Sequence, residues 1–162
     1  MALVLDGSAG VTFPVVAGGT SAVQASSGKV LQVVNATYST QTSTVSTSYV
    51  SSGLTASITP SSSSSKILAI CSFNTYNSAS AISSYYTLFR GASNLLTAAG
   101  QFRLENGSSY LLNYGGISYL DSPATTSSTT YSVYMKSQTA GATTYMAFGD
   151  AICSIILMEI AA

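Results

Sequence analysis

Ala151-Ile152-Cys153-Ser154-Ile155-Ile156-Leu157-Met158-Glu159-Ile160 is the stretch on which the reading of this chain turns. In a strand, successive side chains point to opposite faces. One face then carries Ile152, Ser154, Ile156, Met158 and Ile160, and the other Cys153, Ile155, Leu157 and Glu159. Both are largely apolar, whereas an antiparallel sheet usually leaves one face to water. One side can fill a core; the other needs a cover. At about 25 cal/mol per Å² of apolar area removed from water, covering two or three such side chains contributes several kcal/mol. The segment therefore predicts a homo-oligomer, with Ile155, Leu157, Ile156 and Met158 as candidate interface residues and the contacting side left open. Cover by a loop or by the N-terminal stretch is the alternative. The apolar run stops at Glu159, far short of the roughly 20 residues a membrane helix needs, so no membrane insertion is expected.

Upstream, the pattern is strand, turn, strand. Thr129 to Ser137 alternates, with Tyr131, Val133 and Met135 on one side and Ser132, Tyr134 and Lys136 on the other. Lys66 to Phe73 is apolar on both sides, Leu54 to Thr59 alternates, and Val30 to Val34 opens the series. Pro60 and the serines at 61–65 make a loop. Asn106-Gly107, between Gln101–Glu105 and Tyr110–Tyr114, is the strongest hairpin signal. Turn residues recur every 8–12 positions or so, the spacing of an antiparallel β-sandwich or barrel. The best helical candidate is short, residues 93–99. Residues 1–28 are rich in Gly, Ala, Ser and Val, with little alternation. They read as an extended N-terminal arm on a head of residues 29–162, and Phe13, Pro14, Val15 and Val16, from its apolar cluster Val11–Val16, are the candidate anchoring contact. The start has no basic region before its apolar residues and meets Asp6 at once, so no secretory leader is expected.

Composition excludes several kinds of chemistry. The 162 residues carry five basic and five acidic side chains, net charge zero, with no histidine and no tryptophan. Nucleic-acid binding depends on clustered cations, so that partner is not expected. Without histidine, Ser-His-Asp and Cys-His sets are impossible, and a metal site lacks its commonest ligand. Asp121 and Asp150 could act as a glycosidase pair only if the fold brought them within about 5–10 Å. Arg103 and Glu105, two apart on a strand, read as a surface ion pair. Cys71 and Cys153 lie in apolar runs and read as buried thiols, with a disulfide between them left open. Neither an enzyme nor a cofactor is expected. The 31 serines and 19 threonines give a surface that hydrates through hydroxyls rather than charge.

Six of the eleven tyrosines, Tyr76, Tyr85, Tyr86, Tyr110, Tyr114 and Tyr119, cluster mid-chain. Tyrosine offers a flat apolar face and one hydroxyl, which suits sugars and protein interfaces. Tyr76, Tyr85, Tyr110 and Tyr114 are the candidate receptor patch; cross-strand packing within the sheets is the alternative.

Three strings together resemble a family of small virion surface proteins of tailed bacteriophages, usually described as tail-fibre-like. They are Gly28-Lys29-Val30-Leu31-Gln32-Val33-Val34, Leu54-Thr55-Ala56-Ser57-Ile58-Thr59-Pro60 and Ser65-Lys66-Ile67-Leu68. Tyr119-Leu120-Asp121-Ser122-Pro123-Ala124-Thr125-Thr126 and Ile156-Leu157-Met158-Glu159-Ile160 continue the likeness. Gly10-Val11-Thr12-Phe13-Pro14 looks like the N-termini of phage appendages. The resemblance covers roughly residues 28–162. It implies a trimeric jelly roll similar to tumour-necrosis-factor-like heads, a location on the virion, and capsid or tail proteins as partners; it brings no catalytic residue. The expectation is an all-β antiparallel sandwich, homotrimeric and non-enzymatic, attached by its arm as a decoration or fibre-like appendage. A tip that reads host-surface glycans is the alternative.

Overall fold

In a computed structural model, residues 4–6, 10–12, 28–78, 82–97, 102–105 and 111–162 are described, with side chains from residue 28 onward. The anchoring candidates Phe13, Pro14, Val15 and Val16, the tyrosine at 110 and the Asn106-Gly107 pair lie outside them. The described head is built from strands. Those of the first sheet are β3 (Val30–Tyr38), β4 (Thr42–Thr44), β6 (Lys66–Asn77), β10 (Leu111–Asp121), β12 (Thr144–Met146) and β13 (Cys153–Ile160). The second holds β5 (Val50–Ile58), β7 (Ser83–Arg90), β8 (Ser93–Asn94), β9 (Phe102–Glu105) and β11 (Thr129–Ser137). Near the N-terminus, β1 (Val4–Asp6) and β2 (Gly10–Thr12) pair antiparallel, Leu5 opposite Val11, as a two-stranded sheet of their own.

Every pairing is antiparallel. The main orders are β3-β13-β6-β10 and β5-β11-β7-β9, with β12 and β4 extending one end of the first sheet. Consecutive long strands alternate between the sheets, which is the jelly-roll arrangement. The β-sandwich expected from turn spacing is therefore present, and the jelly-roll order with it. Among the described residues no helix is long and apolar enough to cross a membrane.

The core lies where the alternating faces meet. Tyr131, Val133 and Met135 from β11, Leu88 from β7 and Leu54 from β5 pack against Ile67 and Ala69 from β6 and against Ile155 and Leu157 from β13, all fully buried. The strand β6 is central, flanked by β10 on one edge and by β13 and then β12 on the other.

Three sequence expectations are corrected. The helical candidate at 93–99 begins instead as β8, paired with the end of β7. There Asn94 accepts a hydrogen bond from the Thr87 hydroxyl at 2.6 Å, the kind of local side-chain bonding that competes with helix. Next, β9 and β10 do not form a hairpin: β9 pairs with β7 in one sheet and β10 with β6 in the other. Phe102 of β9 packs over Gly115 of β10. Finally, the strand expected to end at Tyr114 runs on through Gly115-Gly116 as one eleven-residue strand, β10.

Candidate functional site

The two buried carboxylates stand at one end of the sandwich. Asp121 and Glu159 both lie opposite Ile67, one on each neighbouring strand. Their backbones are therefore two strand spacings, roughly 10 Å, apart. That is the outer limit for a carboxylate pair acting on a glycoside, but neither group is available. Arg90 donates from one guanidinium nitrogen to both oxygens of Asp121, at 2.9 and 2.8 Å, and the Tyr131 hydroxyl donates to Oδ2 at 2.6 Å. Arg90 and Tyr131 belong to the opposite sheet, so Asp121 clamps the two layers together. Burial, reinforced by the adjacent carboxylate, pushes the Tyr131 phenol well above its ordinary value.

Glu159 is fully buried. Its Oε1 accepts from the Ser61 backbone N–H at 2.8 Å and the Ser61 hydroxyl at 2.6 Å, and its Oε2 accepts from Gln32 at 2.6 Å. Burial alone would raise its pKa; donation from Ser61, Gln32 and Ser65 outweighs that and lowers it to about 2. Gln32 also donates to the Thr59 carbonyl at 2.7 Å. Glu159 thereby holds the serine-rich 61–65 loop and strand β3 in place.

Asp150 does not join them. It sits in a short 3-10 turn, Phe148–Asp150, fastened by Asn74, whose amide bonds the Phe148 backbone in both directions. Asn74 is seven residues along β6 from Ile67, roughly 20 Å at strand rise. The Asp121–Asp150 pair is thus ruled out by distance. Arg103 and Glu105 do form the expected ion pair, and it is exposed. Among the described residues no group of three or more acids and cysteines could hold a metal ion.

Removing the Tyr131 hydroxyl leaves a buried carboxylate oxygen short of one donor. Tyr131→Phe is expected to destabilise the head by about 1–2 kcal/mol. Combined with Asp121→Asn in a double-mutant cycle followed by urea unfolding, it should show clear coupling; additive losses would argue against the clamp.

Cys71 and Cys153 are both buried and free. Cys71 faces Ile155 in register, and Cys153 lies two residues away on the same strand. Burial pushes the Cys71 thiol up to about 12 and raises that of Cys153 as well. Only the thiolate is an effective nucleophile, so these thiols behave as small apolar side chains.

The two outer faces differ. On the β5-β11-β7-β9 sheet, Tyr134 stacks on Phe89 with ring centroids 4.0 Å apart. The Lys136 ammonium lies over the rings of Tyr49 and Tyr85, and Arg103 over Tyr85. Thr55 with Ser132, and Ser57 with Thr130, bond hydroxyl to hydroxyl across the strands. This face covers itself.

The other outer face belongs to the sheet with β13. Ile155 and Leu157 point into the core at 0% exposure, which removes them from the candidate interface. Ile156 and Met158 point outward and are only half-buried. The chain's described residues leave this outer side incompletely covered.

The tyrosine patch comes together only in part. Tyr76 stacks on Phe148 at 4.0 Å and meets Tyr145 at 5.4 Å on the outer face of the first sheet. Tyr114, 72% exposed, lies one register step away on β10, because its partner on β6 is Asn74. Beside it is a shallow hollow of about 310 Å³ lined by Ser72, Phe73, Asn74, Tyr114, Gly115 and Ile152. Tyr85 belongs to the opposite sheet and cannot share a patch with Tyr76 and Tyr114. Sequence reading missed Tyr145 and Phe148, and placed Ile152 only on the last strand's face; Gly149-Asp150, a turn that returns the chain beside β6, is the only signal for the first two.

No protein-family model matches the chain, and no curated protein matches it. Among solved structures, it is similar to the VP2 subviral particle of infectious bursal disease virus, with a TM-score of 0.43, 10% identity, and 81% of this chain and 37% of that chain covered. Particles of T=1 symmetry derived from that virus give a TM-score of 0.42 and 10% identity over 81% of this chain and 36% of theirs. The chain thus spans little more than a third of the length of either.

Proposed function

We propose that this chain is a non-enzymatic structural subunit of a tailed-bacteriophage virion. In this reading it is a homotrimeric jelly-roll head on the particle surface, attached to capsid or tail through residues 1–28. The observation that carries the reading is the state of the buried acids. Asp121 and Glu159 are each consumed by bonds that fasten one layer or loop to another. The described head thus uses its interior charge to stay shut rather than to react. The hydroxyl-rich surface and the sequence resemblance point the same way. The start of β3 is tied to the end of β13: Gly28 N–H donates to the Ala161 carbonyl at 2.7 Å, and Ala161 N–H to the Lys29 carbonyl at 2.8 Å.

Deleting residues 2–20 is expected to abolish incorporation into particles while the head keeps its circular dichroism spectrum and melting temperature. Particles that take up the truncated chain at the full level would refute the anchoring role of Phe13, Pro14, Val15 and Val16.

A second reading, a tip that recognises host-surface glycans, is favoured by the exposed Tyr114 ring beside the Tyr76–Phe148 stack. Purified heads that compete with phage for adsorption to cells would select it over decoration.

A further inference from the structure

We propose that the outer face of the β3-β13-β6-β10 sheet is the surface through which copies of this chain pack against one another. The inference rests on the self-associating reading above and assigns it a surface. Strand register draws the face. Val33 is opposite Met158, Met158 opposite Leu68, and Leu68 opposite Leu120, an unbroken apolar row across four strands. The next row runs Asn35, Ile156, Ile70, Ser118, and the one after it Thr37, Ser154, Ser72, Gly116. Oil therefore gives way to hydroxyls within two steps, a polar border on that side of the row, before apolar side chains return at Tyr114 and Ile152.

The ends of the first row are wide open, Val33 at 56% exposure and Leu120 at 50%. Beside them a bulge opposite Ile160 leaves Val30 and Leu31 at 47% and 43%. Together with the half-buried side chains between, the exposed apolar area is roughly 400–500 Å², the size at which a polar-rimmed patch marks an interaction site. With the hydroxyl rim it approaches the roughly 800 Å² per partner of a stable protein interface.

The occupant follows from charge and from the contrast with the other face. Along these four strands the only charged side chain at an outward register position is Lys66, at one end of β6. Two copies can meet here with little like-charge repulsion, and a single lysine at one end gives the face no charge pattern that would select a charged partner. The opposite outer face carries Lys136 and Arg103 and covers its own aromatic rings.

Light scattering on the full chain tests this, with Met158→Glu compared against Thr130→Glu on the opposite face. The wild type and Thr130→Glu should have the mass of three copies, and Met158→Glu that of one, with an unchanged circular dichroism spectrum. An oligomer that survives Met158→Glu overturns the surface assignment alone; a monomeric wild type overturns the self-association as well. Should Met158→Glu fail to fold, thiol labelling decides, since both native cysteines are buried. Labelling of Leu120→Cys should be at least tenfold slower than that of Thr130→Cys in the oligomer. Equal rates refute the proposal, as does slow labelling of Leu120→Cys in a particle with the mass of one copy, which would make the chain's own arm the cover.

Discussion

Glu159→Gln is expected to destabilise the head by about 2–3 kcal/mol at neutral pH, because it removes a buried charge on which three donors converge. Ser61, through N–H and hydroxyl, and Gln32 hold that carboxylate at 2.6 to 2.8 Å. The neutral amide still accepts from one side but turns an NH₂ toward the other donors. Titration reaches the same loss by another route. The folded pKa, about 2, lies below the ordinary 4.5. The charged form is thus favoured by folding, and its contribution is complete above pH 4.5. It drains away as pH falls toward 2, where the folded protein also takes up the proton. The lowered pKa corresponds to a stabilisation of about 3 kcal/mol. Urea unfolding at pH 7, 4.5, 3 and 2 should show wild-type stability converging on that of Glu159→Gln as the solution is acidified. Parallel curves for the two proteins across this range would mean that Glu159 carries no such stabilisation.

The second large effect is expected at Gly116. A Cβ there would lie 2.5 Å from the backbone carbonyl oxygen of Cys71. That oxygen belongs to the central strand β6, which is held on both edges and cannot give way as a flexible side chain would. Gly116→Ala should therefore destabilise the head by about 2–4 kcal/mol, the range for overpacking against a rigid neighbour. Ser118→Ala, two residues along on the same outer face, should stay within about 0.5 kcal/mol of wild type as a surface change. Thermal unfolding of the two variants side by side checks this; a Gly116→Ala protein as stable as Ser118→Ala would show that the strands can separate locally. Neighbouring Gly115 is under a related constraint, since a Cβ there would enter the Phe102 ring.

These glycines also explain where reading along the chain stopped working. Gly115-Gly116 looks like a break, yet the strand runs straight through. The reason is a close approach from elsewhere: the Cys71 carbonyl beside one glycine, the Phe102 ring over the other. Asn106-Gly107 misled for a similar reason. A tight-turn dipeptide signals a reversal of direction, not the sheet in which the next strand will pair. In the sequence Asp121 reads as a remote catalytic candidate and Glu159 as the polar end of an apolar face. Their common position opposite Ile67 comes from two separate ladders.

The alternation of Tyr131, Val133 and Met135, the doubly apolar β6 and β13, the burial of both cysteines and the sandwich class were all legible in the residues, because a side chain's direction in a strand follows from its own position and the period of two. Tertiary structure alone decided that Ile155 and Leu157 face inward while Ile156 and Met158 face out, that Tyr85 is parted from Tyr76 and Tyr114, and that both carboxylates close one end of the sandwich. Those outcomes depend on register between strands far apart in the chain, and register is a relation between segments that no single segment encodes.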